Sequence, residues 1–205
     1  MRLSGSQGSI IFFFLIAIIF LWCVSSKAQT PPNSPVKISL ASDKKTPFPV
    51  FELPIPQDDV QKNYLGISGS GKFRVSHIKS PVIIIEVFST DCPHCQKAAP
   101  LVNELYLAIQ ARPDLKEKIK IIGIVDSDTK KVDLFRASYK VSFPLFPDQD
   151  SAISQQLGIK KTPTFIGVKN NDDGTMEKFY FKSGKFWFWN ANRFLKKIIN
   201  RSKLE

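Results

Sequence analysis

The stretch VIIIEVFSTDCPHCQKAAP, residues 82–100, decides how this chain folds. Apart from Glu86, residues Val82 to Phe88 are β-branched or aromatic and apolar, the pattern of a strand buried on both faces of a sheet. Beyond them Ala98, Val102, Leu105 and Ile109 recur at helical spacing. They predict an amphipathic helix from about Cys92 to Ala111, closed by Pro113. Cys92 and Cys95 therefore stand where a buried strand hands over to a helix. A thiolate at a helix start is stabilised by free backbone N–H groups and by the helix dipole. Cys92 is the exposed position and the expected nucleophile. Cys95, one turn on, is expected to be more buried and to resolve a mixed disulfide. Pro93 removes an N–H in the first turn, where none is needed. His94 places positive charge near Cys92, which favours the thiolate and moves the couple toward the oxidising side. The residues alone leave two other readings open. One is a structural disulfide in an oxidising compartment. The other is a copper or zinc site built from Cys92, His94 and Cys95.

Working outward, Ile119–Val125 reads as a second buried strand, and Val132, Phe135 and Tyr139 as a helix capped by Ser127 or Asp128. Phe143–Phe146 suits a short strand, and Ser151–Leu157 a short helix stopped by Gly158. Thr164–Val168 and Lys178–Phe181 read as strands joined through the turn at residues 170–174, hence antiparallel. Asn190–Arg201 reads as a last, basic helix. Upstream, Gly66, Gly69 and Gly71 suggest a hairpin between Val50 and Pro81. Alternating strands and helices argue for α/β layers, and the antiparallel pair makes the sheet mixed.

The whole chain has 205 residues, with 29 Lys+Arg, 18 Asp+Glu, two histidines and three cysteines. Three cysteines cannot form a disulfide scaffold, and two histidines exclude a histidine-rich metal centre. The third cysteine, Cys23, lies in the uncharged apolar run Ile10–Val24, preceded by Arg2 and followed by Ser26 and Ala28 at signal-peptidase spacing. Residues 1–28 read as a secretory signal peptide cleaved after Ala28, or as a retained membrane anchor, since fifteen apolar residues fall short of a span of about 20. Bulky Trp22 argues against lipidation at Cys23. Cleavage would leave 177 residues of net charge +9 and only Cys92 and Cys95. Residues 29–49, with five prolines, read as a tether, and 50–205 as one domain. The chain is expected outside the cytoplasm, periplasmic or secreted. Its positive charge is read as solvated surface: Lys160 and Lys161 beside Thr162, and Lys196, Lys197, Arg201 and Lys203 on the last helix. No nucleic-acid motif is present. Phe179, Phe181, Phe186, Trp187, Phe188 and Trp189 are expected mostly as core under that helix, with Trp187 or Trp189 at a partner surface.

Three segments resemble the thioredoxin superfamily. EVFSTDCPHCQKAAP holds the strand, the redox pair and Pro100, at the place of that family's helix proline. Glu86 falls six residues before Cys92, at the place of its buried carboxylate. GIKKTPTFIGV is similar to the segment that carries its cis-proline, here Thr162-Pro163. The longer spacing between Val125 and Pro163 resembles the TlpA/ResA-like, redoxin-type group, over about residues 48–200. The resemblance implies a three-layer α/β/α thioredoxin-like fold with a central mixed sheet, an N-terminal β-hairpin and a central αβ insertion. It implies an extracytoplasmic thiol–disulfide oxidoreductase in which Cys92 attacks, Cys95 resolves and Glu86 moves the proton. Thr162 and Pro163 would meet the substrate in a strand-like way. Partners would be thiol- or disulfide-bearing proteins, with an upstream membrane redox partner. No cofactor is expected beyond the Cys92–Cys95 disulfide. The reductase direction is favoured; a DsbA-like oxidase direction, suggested by Pro93-His94, and a copper- or zinc-handling module are the alternatives. Asp91 stands where many relatives carry tryptophan, and an acid there is expected to oppose the Cys92 thiolate. No PxxxTxxC pattern is present, so peroxidase chemistry does not carry over.

Overall fold

The computed structural model describes residues 46–184 and 190–204. In chain order these form β1 (Thr46–Pro47), β2 (Glu52–Pro54), α1 (Asp59–Leu65), β3 (Lys72–Arg74), a 3-10 turn at Val75–His77, β4 (Val82–Phe88) and α2 (Pro93–Gln110). Then follow β5 (Ile119–Val125), α3 (Thr129–Tyr139), β6 (Leu145–Pro147), α4 (Ala152–Gln156), β7 (Thr164–Asn170), β8 (Met176–Ser183) and α5 (Ala191–Ser202).

Six strands make one sheet in the order β1-β8-β7-β4-β5-β6. The crossover through α2 makes β4 and β5 parallel, with Val82 opposite Ile119 and Phe88 opposite Val125. The short turn after β7 makes β7 and β8 antiparallel, and β7 also runs antiparallel to β4. The sheet is mixed, as the chain order requires.

Because side chains alternate across a strand, β4 feeds both sides of the sheet. Val82, Ile84 and Phe88 join α2, α3 and α5 in one apolar cluster. Ile83, Ile85 and Val87 join Phe48, Phe51, Leu53, Leu65 and Phe73 on the other side. Every residue of β4 is buried, and each of its Val, Ile and Phe side chains stabilises the fold by about 1.5–3 kcal/mol. Glu86 shares the parity of Ile84 and Phe88, so it lies on the α2 side.

The N-terminal region departs from the expected hairpin. β2 and β3 do pair antiparallel, Leu53 opposite Phe73, but α1 lies between them. Asp58 caps α1 by accepting the Val60 N–H at 2.9 Å, and Gly66 ends it at φ 67. Only Leu65 of its seven residues is buried, so no apolar period announces it. The tether boundary at Pro49 also moves. Thr46 and Pro47 pair with Lys178 and Glu177 as the edge strand β1, and Phe48 is buried, so the domain includes them. Residues 1–45, with the signal or anchor segment and Cys23, lie outside the described residues, as do Phe186, Trp187, Phe188 and Trp189. Phe179 is half-buried against the core, whereas Phe181 is 46% exposed and not core as expected. Among the described residues no helix is long and apolar enough to cross a membrane.

Candidate active site

Cys92 is the N-cap of α2, in extended backbone at φ −85°, with Pro93 in the first turn. Its N–H donates to the Ser89 carbonyl at 3.2 Å, and its Sγ accepts the Cys95 N–H at 3.4 Å. The sulfur thus takes the part of a capping oxygen at a helix start. The loop before it is fixed from two sides. The Thr90 and Ser127 hydroxyls lie 2.7 Å apart, and the Gln96 side-chain amide donates to the Thr90 carbonyl at 2.9 Å.

Cys92 is half-buried, Cys95 is buried, and both are free thiols. Burial alone would push the Cys92 thiol up, but hydrogen bonding from the Cys95 thiol, the Thr162 side chain and the N–H groups of Cys95 and His94 outweighs it and lowers the thiol pKa. Burial pushes the Cys95 thiol well up, helped by its bond to Cys92. The two cysteines are therefore unequal in the sense expected: a reactive outer thiol and a protonated inner one. His94, half-buried, reaches the sulfur through its backbone N–H.

Thr162-Pro163 is a cis peptide bond, and the Cys92 thiol points at the Thr162 carbonyl oxygen, 3.7 Å away. Neighbouring groups hold that turn. The Thr164 hydroxyl donates to the Lys161 carbonyl at 2.5 Å, and the Gly184 N–H donates to the Pro163 carbonyl at 2.9 Å. A groove of about 290 Å³ leads from Thr162 past Lys160 and Lys161 to Asp126 and Ser151.

Glu86 is 3% exposed. Burial first, and then the charge of Cys92, push its carboxyl up to about 8. At that value it both gives and takes a proton near neutral pH. It is not the exposed edge residue that a lone acid in an apolar strand can be.

Asp91 carries a finding that spacing alone does not reveal. Its carboxylate pairs with Lys131 Nζ at 2.7 Å, from the first turn of α3 and forty residues away. The expectation that Asp91 opposes the thiolate is corrected to that extent, because a cation stands against it. Thr90, Gln96 and Thr164, which hold the Cys loop and the Thr162 turn, were likewise not singled out from sequence, and Ser127, read there as a helix cap, instead meets Thr90. Among the described residues no group of three or more His, Cys, Asp or Glu side chains converges as a metal site.

Comparison with known proteins agrees with this geometry. A thiol-disulfide oxidoreductase ResA of Bacillus thuringiensis subsp. konkukian is 28% identical over 95 residues, 45% of this chain and 51% of that protein. The chain thus spans about half the length of the curated relative it matches. A candidate thiol:disulfide interchange protein DsbE from Chlorobium tepidum superposes with a TM-score of 0.57 at 20% identity, over 78% of this chain and 97% of that one. StoA from Bacillus subtilis gives 0.52 at 19% identity, over 73% and 96%. At these identities the two structures establish the thioredoxin-like fold. The AhpC/TSA family model matches residues 45–181, a span that holds Glu86, Cys92, Cys95, Thr162 and Pro163, and the chain belongs to the AhpC/TSA family.

Proposed function

We propose that this chain is a thiol–disulfide oxidoreductase that works outside the cytoplasm on partner proteins, in the reductase direction. The observation that carries the reading is the asymmetry of the pair. Cys92 caps α2 with a lowered thiol pKa beside the Thr162 carbonyl, while Cys95 sits buried behind it. The ResA relative, named a thiol-disulfide oxidoreductase, supports the exchange chemistry. The apolar run Ile10–Val24 supports the location, as a cleaved signal or a retained tether.

In the first step the Cys92 thiolate attacks one sulfur of a partner disulfide. A new S–S bond forms, and the partner's other sulfur leaves and takes a proton. The backbone at Thr162 and Pro163 holds the partner strand-like beside the sulfur. Cys95 then gives its proton to Glu86 and attacks Cys92 Sγ. The partner's second sulfur leaves as a thiol, and a Cys92–Cys95 disulfide remains. The partner has gained two electrons and two protons. A dithiol donor, a membrane redox partner in this reading, restores the pair by the reverse exchange. The two cysteines hold the electrons, so no further cofactor is needed.

One observation favours the opposite direction. The lowered Cys92 thiol stabilises the reduced form and so raises the potential. The test is insulin reduction by the full chain with dithiothreitol as donor, set beside oxidation of a reduced, unfolded substrate by the disulfide form. Faster reduction supports the proposal. Net oxidation of the substrate would reverse the direction, and neither reaction would remove the activity.

A further inference from the structure

We propose that Lys131 is a positioning residue for the redox pair: its ammonium holds the Asp91 carboxylate, so that no uncompensated negative charge stands beside the Cys92 sulfur when the thiolate forms. The inference rests on the reading of Cys92 and Cys95 as the reacting pair.

Two observations carry it. Asp91 immediately precedes Cys92, in the loop between β4 and α2, and its partner comes from a different element at 2.7 Å. Lys131 lies in the first turn of α3, and no helical residue of that turn is acidic. A cation there faces the positive end of the helix dipole, so α3's own stability does not explain the choice. A residue that breaks a local rule and makes one specific long-range contact serves something beyond its own helix.

The other ionisable groups around the sulfur are His94 and Cys95 on α2 and Glu86 on β4, with Lys160 and Lys161 in the loop that carries Thr162. Lys131 also faces Asp128, whose carboxylate caps α3 through the Lys131 N–H at 2.9 Å. The variants below leave all of these in place.

The experiment compares Lys131→Met, Asp91→Asn and the double variant in the full chain. The readouts are the pH profile of Cys92 alkylation, followed on its own peptide, and the Cys92–Cys95 disulfide fraction in glutathione buffers. Lys131→Met leaves Asp91 uncompensated and is expected to slow alkylation at neutral pH by about threefold, the modest effect of an exposed pair. Its midpoint moves to higher pH and its couple becomes more reducing. Asp91→Asn leaves Lys131 unopposed and moves all three in the opposite sense. The double variant returns to wild type, and about 1 M salt compresses the differences. Both single variants moving in the same direction, as loss of a merely structural tie would produce, overturns the proposal, as does no change in either. A wild-type chain that forms no reversible Cys92–Cys95 disulfide contradicts the oxidoreductase reading instead; the alkylation profiles still decide the role of Lys131.

Discussion

The Cys92 sulfur lies 3.7 Å from the carbonyl oxygen of Thr162, seventy residues further along the chain. β7 makes this meeting, because it runs antiparallel to β4 and places Thr164 opposite Val87. The turn before β7 thereby arrives beside the loop after β4. In the proposed function, a partner that paired with the backbone at Thr162 would bring its own sulfur to Cys92.

The first prediction concerns the division of labour. Cys95→Ser leaves the attack by Cys92 intact and removes the resolving thiol. A mixed disulfide between Cys92 and the partner therefore accumulates and survives non-reducing electrophoresis. Cys92→Ser forms none. An adduct at Cys95 in preference to Cys92 would reverse the roles.

Glu86 gives a prediction for rate and another for stability. Glu86→Gln keeps the shape and loses the proton acceptor for Cys95, so release of the partner slows by about 100-fold, the low end for a positioned acid–base group. Stopped-flow decay of the mixed disulfide reads this. For stability, burial pushes the folded carboxyl up to about 8 from its ordinary value of 4.5. Between those values the unfolded chain has lost the proton and the folded chain keeps it, so stability falls as pH rises through this window. Unfolding free energies from urea titrations should decline from pH 5 to pH 9 in the wild type, by on the order of a few kcal/mol. In Glu86→Gln this contribution is absent, and the variant gains on the wild type as pH rises through that window.

Asp148 links a buried cap to the site. Its carboxylate accepts the Ile153 and Ser154 N–H groups at 3.0 and 2.9 Å and the Ser154 hydroxyl at 2.7 Å. These bonds hold α4, which leads into the loop that carries Lys160, Lys161 and Thr162. Asp148→Ala leaves those donors unpaired and is expected to cost about 2 kcal/mol in urea unfolding. Partner turnover should drop with it, through the Thr162 loop.

Phe88 closes β4 under α2 and α3, 1% exposed, with its ring 4.9 Å from that of Phe135. Phe88→Ala should destabilise by about 3–5 kcal/mol. A loss below about 1 kcal/mol would mean that this face of β4 is not the core described here.

Much of this was legible in the sequence because strong local patterns agreed with the fold. Val82–Phe88 and Ile119–Val125 are too apolar to lie anywhere but inside a sheet, and both strands keep those limits. The helix after Cys92 follows from its apolar spacing, and Asp128 does cap α3. What escaped was either weakly patterned or long-range. α1 buries one residue of seven, so its glycine stop at Gly66 read as a turn. β1 is two residues long and belongs to the sheet only through its partners on β8. The ion pair of Asp91 and Lys131, and the Thr90–Ser127 contact, join residues about forty positions apart. No periodicity within either segment encodes such a meeting.

The most direct test of the account is a redox titration of the full chain in glutathione buffers, with the Cys92–Cys95 disulfide quantified by peptide mass spectrometry. The account predicts one reversible two-electron transition between the dithiol and that disulfide, lying toward the reducing value of about −270 mV rather than about −120 mV. A pair that stays as two thiols, or that ends as two separate glutathione adducts across the whole range, would contradict it.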